Sequence, residues 1–154
     1  MQSWNVIFLI DQTPFPSKIV LLKRSSTKKF APGMYTGIGG KVEENETVLE
    51  SAYRELLEES GINNIQLTEF AKVFIDESEE LVYFWGIYTP TNLPETNEGE
   101  LEWVPIKTIL DKDIIPTTKE MIKKWQTQNF SIQPFELHVK TISSENGIKK
   151  VVVK

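Results

Sequence analysis

The sequence predicts a single α/β domain over residues 1–154, of the α+β kind, with a mixed β-sheet flanked by helices and a C-terminal β-hairpin. Segments with strand-like and helix-like patterns alternate along the chain, which favours an α/β/α sandwich whose sheet is covered on both faces. A length of 154 residues suits one hydrophobic core rather than two. Two apolar segments around a polar turn at 143–147 predict the final hairpin.

Seven apolar segments have the length and the flanking turn residues of β-strands. They cover residues 4–10, 18–23, 65–75, 81–88, 101–105, 135–142 and 148–153. Residues 35–40 add a short strand end that runs into a glycine-rich loop. The first segment is too short to span a membrane, and the N-terminus does not have the form of a signal peptide. We therefore expect a cytoplasmic protein that contacts no membrane.

The clearest predicted helix covers residues 47–60. Thr47 and Glu50 have the spacing of a capping box, and Gly61 is a natural C-terminal stop. Residues 116–126 predict a second helix that has proline in its first turn, and residues 106–110 predict a helical turn. The apolar residues of the first helix recur at helical spacing and predict its buried face, which consists of Leu49, Ala52, Tyr53 and Leu56.

The composition excludes several classes of site. The chain has no cysteine, which removes disulfides, thiolate nucleophiles and cysteine zinc sites. Its one histidine, His138, lies in an alternating segment and is expected to face solvent from a strand. The formal net charge of −5 argues against binding to duplex nucleic acid. It is compatible with a small nucleotide, because divalent metal can offset the negative charge.

The most informative spacing belongs to acidic residues. Glu55, Glu58 and Glu59 lie at i, i+3 and i+4 of the predicted helix, so their carboxylates share one face. Such a face is either solvated or holds a hard cation, and Mg²⁺ prefers oxygen ligands. A cation held there could activate water and neutralise charge on phosphates. The glycine-rich loop before the helix could add a backbone carbonyl.

The stretch at residues 40–62 matches, without a gap, the pattern G-x5-E-x7-R-E-U-x-E-E-x-G-U, where U is a bulky aliphatic residue. At ordinary residue frequencies a chance match at one place is on the order of one in a billion. This pattern is the Nudix box, so the chain resembles the Nudix hydrolase family, and in particular MutT-type and oxidised-purine triphosphatases. The matched positions are Gly40, Glu46, Arg54, Glu55, Leu56, Glu58, Glu59, Gly61 and Ile62.

The resemblance implies a Nudix-type fold and an enzyme that hydrolyses a nucleoside diphosphate linked to another group. It implies that Glu55, Glu58 and Glu59 are catalytic residues and metal ligands, together with the carbonyl of Gly40. The implied cofactor is Mg²⁺, with Mn²⁺ as a substitute. The general base stays open between Glu55, which as a metal ligand would have a lowered proton affinity, and a glutamate outside the box.

Further roles are implied around this metal site. The family often takes one more glutamate from a loop outside the box, and Glu98 is the predicted one, with Glu95 and Glu100 as alternatives. Glu46 is expected to support the acidic cluster. Arg54 is expected to orient box glutamates through charge-assisted hydrogen bonds, with an ordinary surface pair as the alternative.

The resemblance also implies a region that reads the base. Oxidised-purine enzymes use an asparagine or aspartates near the glycine loop and the last helix, and the matching positions here are Thr36, Thr117 and Thr118. These hydroxyls can hydrogen-bond a base edge, although the last two could instead cap the helix. Tyr35 and Phe84 are expected to stack on a base, with core positions as the alternative.

Sequence markers of the ADP-ribose, dinucleoside polyphosphate, NADH and coenzyme A branches are missing. The favoured substrate is therefore a (d)NTP, including an oxidised one such as 8-oxo-dGTP, with NMP and pyrophosphate as products. One alternative is another linked group, such as a nucleotide sugar, a dinucleotide or an RNA 5′ end. The other is a non-catalytic nucleotide sensor. The protein is expected to be a monomer or a homodimer. Its expected binding partner is a small nucleotide.

Overall fold

The computed structural model describes residues 1–154 and contains one nine-stranded mixed sheet, two α-helices and one 3₁₀ helix. The elements in chain order are β1 (Gln2–Ile10), β2 (Lys18–Arg24), β3 (Tyr35–Thr36), β4 (Ile38–Lys41), α1 (Val48–Ser60), β5 (Thr68–Ile75), β6 (Glu79–Ile87), β7 (Gly99–Pro105), the 3₁₀ helix (Ile106–Asp111), α2 (Pro116–Gln126), β8 (Phe135–Glu145) and β9 (Ile148–Val153). No helix combines the length and the apolar character that a membrane span requires.

Strand β1 is the central strand of the sheet. It pairs in parallel with β6 and antiparallel with both β2 and β4. The main path across the sheet runs β3-β2-β1-β6-β5-β8-β9, while β4 joins β1 and β7 joins β2. Parallel and antiparallel pairs therefore occur in one sheet, which confirms the predicted mixed architecture and the C-terminal hairpin of β8 and β9.

Two hydrophobic cores lie on opposite faces of this sheet. Successive side chains of a strand point to opposite faces, and β1 is apolar on both. Phe8 and Ile10 pack in the core that includes α2, whereas Ile7 and Leu9 pack in the core that includes α1. The helices therefore cover both faces, as the sequence predicts.

Helix α1 forms largely as predicted. The Thr47 side chain accepts from the backbone N–H of Glu50, the reciprocal bond is also present, and Gly61 ends the helix in the left-handed region at φ 76°. The predicted buried face is wrong at Leu49, which is 44% exposed. Side chains lean toward a helix N-terminus, so a residue in the first turn has less of the sheet beneath it. The buried positions of α1 are Ser51, Ala52, Leu56 and Ser60.

Helix α2 has the predicted bounds but not the alternative cap. Its N-cap residue is Ile115, which makes no side-chain cap, and Thr117 and Thr118 are buried inside the first turn. The predicted hairpin turn is also shorter in the structure. β8 continues through the polar segment, and Asn146 and Gly147 make the turn alone, at φ 54° and 79°. Two successive positive φ angles are the requirement of a tight two-residue hairpin turn.

Two glycines of β4 bring this strand close to β1 and α1. A Cβ on Gly39 would lie 2.1 Å from the backbone oxygen of Asn5, and a Cβ on Gly40 would lie 2.6 Å from Oε1 of Glu55. The first neighbour is backbone, whereas the second is the end of a flexible side chain. The absence of a side chain at both positions therefore sets the distance between the glycine-rich loop and the acidic helix.

We expect Trp125→Ala to lower the free energy of unfolding by about 3–5 kcal/mol, because truncation of a buried aromatic ring leaves a cavity. Trp125 is fully buried, stacks on Phe8 at a centroid distance of 6.0 Å and donates from Nε1 to the Ser131 carbonyl. Urea unfolding would measure the change. The matched control, Leu49→Ala on the exposed side of α1, should cost less than about 1 kcal/mol.

We also expect alanine to destabilise the protein by different amounts at the two β4 glycines. Gly39→Ala forces a backbone clash and should destabilise the protein by about 1–3 kcal/mol or more, whereas Gly40→Ala should cost less because the Glu55 carboxylate can rotate away. Urea unfolding of the two variants in parallel would measure both changes. Equal stability of the two variants would contradict the assignment of backbone contact to Gly39 alone.

Candidate functional site

A cleft of about 520 Å³ lies where β1 and β4 meet the first turn of α2 and the tip of the β8–β9 hairpin. One end contains glycine backbone and carboxylates. The other end is lined by apolar, hydroxyl and charged side chains. The residues of the acidic end are Gly39, Gly40, Glu59 and Glu98.

The two ends are separated along the sheet. Gly39 lies on β4, Trp4 on β1, Leu81 on β6 and Ile75 on β5, and these strands are successive neighbours. Strands are spaced by about 4.8 Å, so the cleft extends roughly 10–14 Å from its glycine end to its far end. An extended nucleotide has a comparable length between its terminal phosphates and its base.

Glu59 is the most buried carboxylate of the acidic end. Its Oε2 accepts from the backbone N–H of Gly39 at 3.3 Å. Burial, followed by the charges of Glu55 and Glu98, raises the pKa of Glu59 to about 8. Three carboxylates are therefore close enough to oppose one another's ionisation, and a cation among them would relieve this repulsion.

Arg54 connects four glutamates of the loop and of α1. Its Nε and Nη2 donate to the two carboxylate oxygens of Glu46 at 3.0 and 2.8 Å. Its Nη1 donates to Glu55 at 3.1 Å and to Glu58 at 3.2 Å. The hydrogen bonds between Arg54 and Glu46 raise the pKa of Arg54 and lower the pKa of Glu46. Glu43 lies farther away, at 3.9 Å. Arg54 is thus more than the partner of one surface pair.

The predicted metal ligands do not all converge in the structure. The side chain of Glu58 is 58% exposed and does not line the cleft. Glu98 lines the cleft but forms an ion pair with Lys28 at 2.6 Å, while Arg54 holds Glu55. No three acidic or histidine side chains already stand in a metal-binding arrangement. Of the alternatives to Glu98, neither Glu95 nor Glu100 lines this cleft.

A buried asparagine underlies the glycine loop, and the sequence patterns did not identify it. Asn5 is 2% exposed and donates from Nδ2 to the Ser51 hydroxyl at 2.8 Å. That hydroxyl donates in turn to the Val48 carbonyl, which fixes the orientation of the amide. The Asn5 Oδ1 atom has no hydrogen-bond partner in the protein. The available sequence signal is one amide in an otherwise apolar segment.

The predicted base-reading residues divide into two groups. Thr36, Thr117 and Thr118 all line the cleft, and the hydroxyl of Thr118 is also hydrogen-bonded to Tyr83 at 3.0 Å. Tyr35 and Phe84 require a correction, because neither lines the cleft. The Phe84 ring is 2% exposed in the core on the α1 side. Tyr35 is 8% exposed and its hydroxyl donates to Glu102. Both residues have the core positions that were the alternative.

Several cleft residues come from segments that the sequence patterns did not single out. Phe30 is 42% exposed and contributes an aromatic ring from the loop between β2 and β3. Trp4, Glu79 and Lys149 form a connected group on three different strands. The signals available in the sequence are an aromatic residue in a polar loop and a lysine beside the hairpin turn.

The comparisons with known proteins agree with this architecture. A family model described as the NUDIX domain matches residues 2–125. The solved structure of a MutT protein from Bacillus halodurans superposes with a TM-score of 0.66 at 21% identity, covering 92% of this chain and 90% of that chain. Similarity at this identity establishes the fold.

Curated relatives extend the comparison to sequence. The uncharacterized Nudix hydrolase YfcD of Salmonella typhi is 31% identical over 121 residues, covering 73% of this chain and 65% of that protein. This chain thus spans about two-thirds of the length of that relative. The mouse oxidized purine nucleoside triphosphate hydrolase is 44% identical over 106 residues, covering 66% of this chain and 67% of that protein. The chain belongs to the Nudix family of hydrolases.

Proposed function

We propose that this protein hydrolyses a nucleoside triphosphate to a nucleoside monophosphate and pyrophosphate in the presence of Mg²⁺. The observation that carries the proposal is a single cleft that joins an acidic end of carboxylates and glycine backbone to a region lined by Phe30, Thr36 and Thr117. The first end suits metal-bound phosphates and the second suits a base. The similarity to a mouse protein named for oxidized purine nucleoside triphosphates supports this substrate class.

The donor set suits a hard divalent cation. Every predicted ligand offers oxygen, which Mg²⁺ prefers and which Mn²⁺ also accepts. Burial, followed by repulsion from Glu55 and Glu98, raises the pKa of Glu59, and a bound cation would relieve that repulsion. The residues that would hold Mg²⁺ are the carbonyl of Gly40 and the carboxylates of Glu55, Glu58, Glu59 and Glu98. When bound, the metal would polarise phosphate oxygens and lower the pKa of a coordinated water.

The protein residues around this donor set would position it. Arg54 holds Glu46 through two hydrogen bonds and contacts Glu55 and Glu58, so it restricts the carboxylates to one side of α1. Lys28 neutralises Glu98 across an ion pair of 2.6 Å. A ligand that brought its own cation to Glu98 would free this ammonium group for a phosphate oxygen.

The reaction requires one water molecule for each triphosphate. The oxygen of water forms a bond to phosphorus, and the bond between that phosphorus and a bridging oxygen breaks. One proton of the water is transferred to a base, for which Glu55, Glu59 and Glu98 are the nearby candidates. Hydrolysis of damaged triphosphates would remove them from the cytoplasmic nucleotide pool, which would be a sanitation role.

Elsewhere in the cleft, neutral hydroxyls would contact the base. Thr36 and Thr117 can both donate and accept hydrogen bonds, and Phe30 presents an exposed ring that can stack on a base. Hydroxyl groups at these positions do not impose the pattern of a carboxylate, which accepts only. Oxidised and ordinary bases are therefore both included in the proposed substrate class.

We expect Glu59→Gln to lower kcat by at least about a hundredfold, because loss of charge stabilisation by a bound metal is worth several kcal/mol. Glu58→Gln should have an effect of the same size if Glu58 rotates toward the metal. The matched control is Glu44→Gln, since Glu44 is exposed in the loop between β4 and α1 and lines no part of the cleft. Pyrophosphate release from a triphosphate would be measured for each variant, and normal activity in Glu59→Gln would refute the assignment.

A panel of substrates tests the proposed reaction itself. The purified protein would be incubated with (d)NTPs, 8-oxo-dGTP, ADP-ribose, diadenosine polyphosphates and 5′-triphosphate RNA, with Mg²⁺ or with EDTA. We expect pyrophosphate to appear from triphosphates and to disappear when EDTA removes the metal. Turnover of ADP-ribose alone would assign a different linked group, and binding without any turnover would indicate a sensor.

A further inference from the structure

We propose that Lys149 makes the cleft selective for nucleotides whose base presents a keto oxygen, rather than an exocyclic amino group, at its Watson–Crick edge. This inference rests on the proposed function, because it assigns the base to the end of the cleft that Lys149 lines. Lys149 lies on β9, and Glu79, its partner in the cleft, lies on β6. Strand β6 is separated from β4, which carries the glycines, by β1.

The Lys149 ammonium group is held but not saturated. Its Nζ donates to Oε1 of Glu79 at 2.7 Å. A lysine ammonium has three hydrogens, and Lys149 makes no other hydrogen bond to the protein. Its side chain is 37% exposed and lines the cleft. Two donors are therefore available at the far end of the cleft, on a group that an ion pair already positions.

Glu79 is engaged on both of its oxygens. Oε1 accepts from Lys149, and Oε2 accepts from the indole Nε1 of Trp4 at 3.0 Å. The bonds from Lys149 and Trp4 lower the pKa of Glu79, so the carboxylate stays charged and continues to hold the lysine. The free hydrogens of this group consequently belong to Lys149, while each Glu79 oxygen already accepts one hydrogen bond.

An aromatic ring lies beside the hairpin turn that precedes this lysine. A Cβ on Gly147 would lie 3.4 Å from the ring of Phe30, so the turn and that ring are in contact. Arg24, the other cation of this region, donates to the Phe30 carbonyl and has its guanidinium 5.3 Å from the ring centroid. Arg24 lies over one face of the Phe30 ring, so a base would stack on the other face, and Lys149, which lines the same cleft, is the less committed cation.

A cationic donor discriminates between two kinds of base edge. A keto oxygen accepts a hydrogen bond from the ammonium group, whereas an exocyclic amino group directs its own hydrogens toward it. Hydrogen bonds to charged groups are strong enough to give roughly a ten- to hundredfold preference. Inosine and adenosine nucleotides differ in this respect at one purine position, and uridine and cytidine nucleotides differ at one pyrimidine position.

The test compares kcat/KM for the matched pairs ITP and ATP, and UTP and CTP. We expect the wild-type protein to prefer the keto member of at least one pair by about tenfold or more. Lys149→Met keeps the apolar stem but removes the donors, and it should reduce the ratio to about one, while Lys149→Arg should restore much of it. Lys150→Met is the matched control, because Lys150 is the exposed neighbour on β9 and does not line the cleft.

Two outcomes would overturn the proposal. The first is a wild-type protein with no keto preference in either pair, which requires no variant and so does not depend on the folding of Lys149→Met. The second is a Lys149→Met variant that retains the wild-type ratio while losing activity toward all substrates equally, as a structural tether or a phosphate contact would predict.

A binding measurement separates this proposal from the proposed reaction. Calorimetric titration with IMP and AMP, and with UMP and CMP, measures the same selectivity without any turnover. A keto preference in binding with no hydrolysis of triphosphates would uphold the role of Lys149 and refute the proposed function. Hydrolysis of triphosphates without any keto preference would do the reverse.

Discussion

The close approach between α1 and β4 is the constraint on which the rest of the structure depends. A side chain at Gly39 would clash with the backbone of Asn5, and a side chain at Gly40 would meet the Glu55 carboxylate. The amide of Asn5 is bonded to Ser51 on α1, which anchors the helix to β1 beneath the same loop. The helix that carries the acidic residues is therefore fixed to the central strand of the sheet.

This packing places carboxylates close together, and the side chains of Arg54 and Lys28 offset their negative charge. Burial of Glu59 and the charges of Glu55 and Glu98 raise the pKa of Glu59 to about 8. Arg54 balances the carboxylates on the loop side, and Lys28 balances Glu98 on the cleft side. A divalent ion would compete with both. Arginine and lysine thus neutralise these carboxylates in the structure.

The cleft divides its chemistry between its two ends. Glu59, Glu98 and the glycine backbone lie at the end near β4 and the loop before β7, where like charges are close together. The other end combines an aromatic ring, hydroxyl groups and a lysine, and suits an uncharged heterocycle that carries acceptors. Strand β1 lies beneath the cleft, while Phe30 and Glu98 reach the cleft from loops, so the sheet and these loops together set the separation of its two ends.

The sequence by itself determined the features that depend on near neighbours. The spacing of residues 40–62, the capping box at Thr47 and the bounds of α2 are local, because helical geometry relates residues three or four positions apart. The tertiary structure alone decided which side chains reach the cleft. The Phe84 ring lies in the core, while Lys149 forms a hydrogen bond with Glu79, which is 70 positions away in the chain. Such contacts depend on strand order and on the face that each residue presents, and no local pattern encodes them.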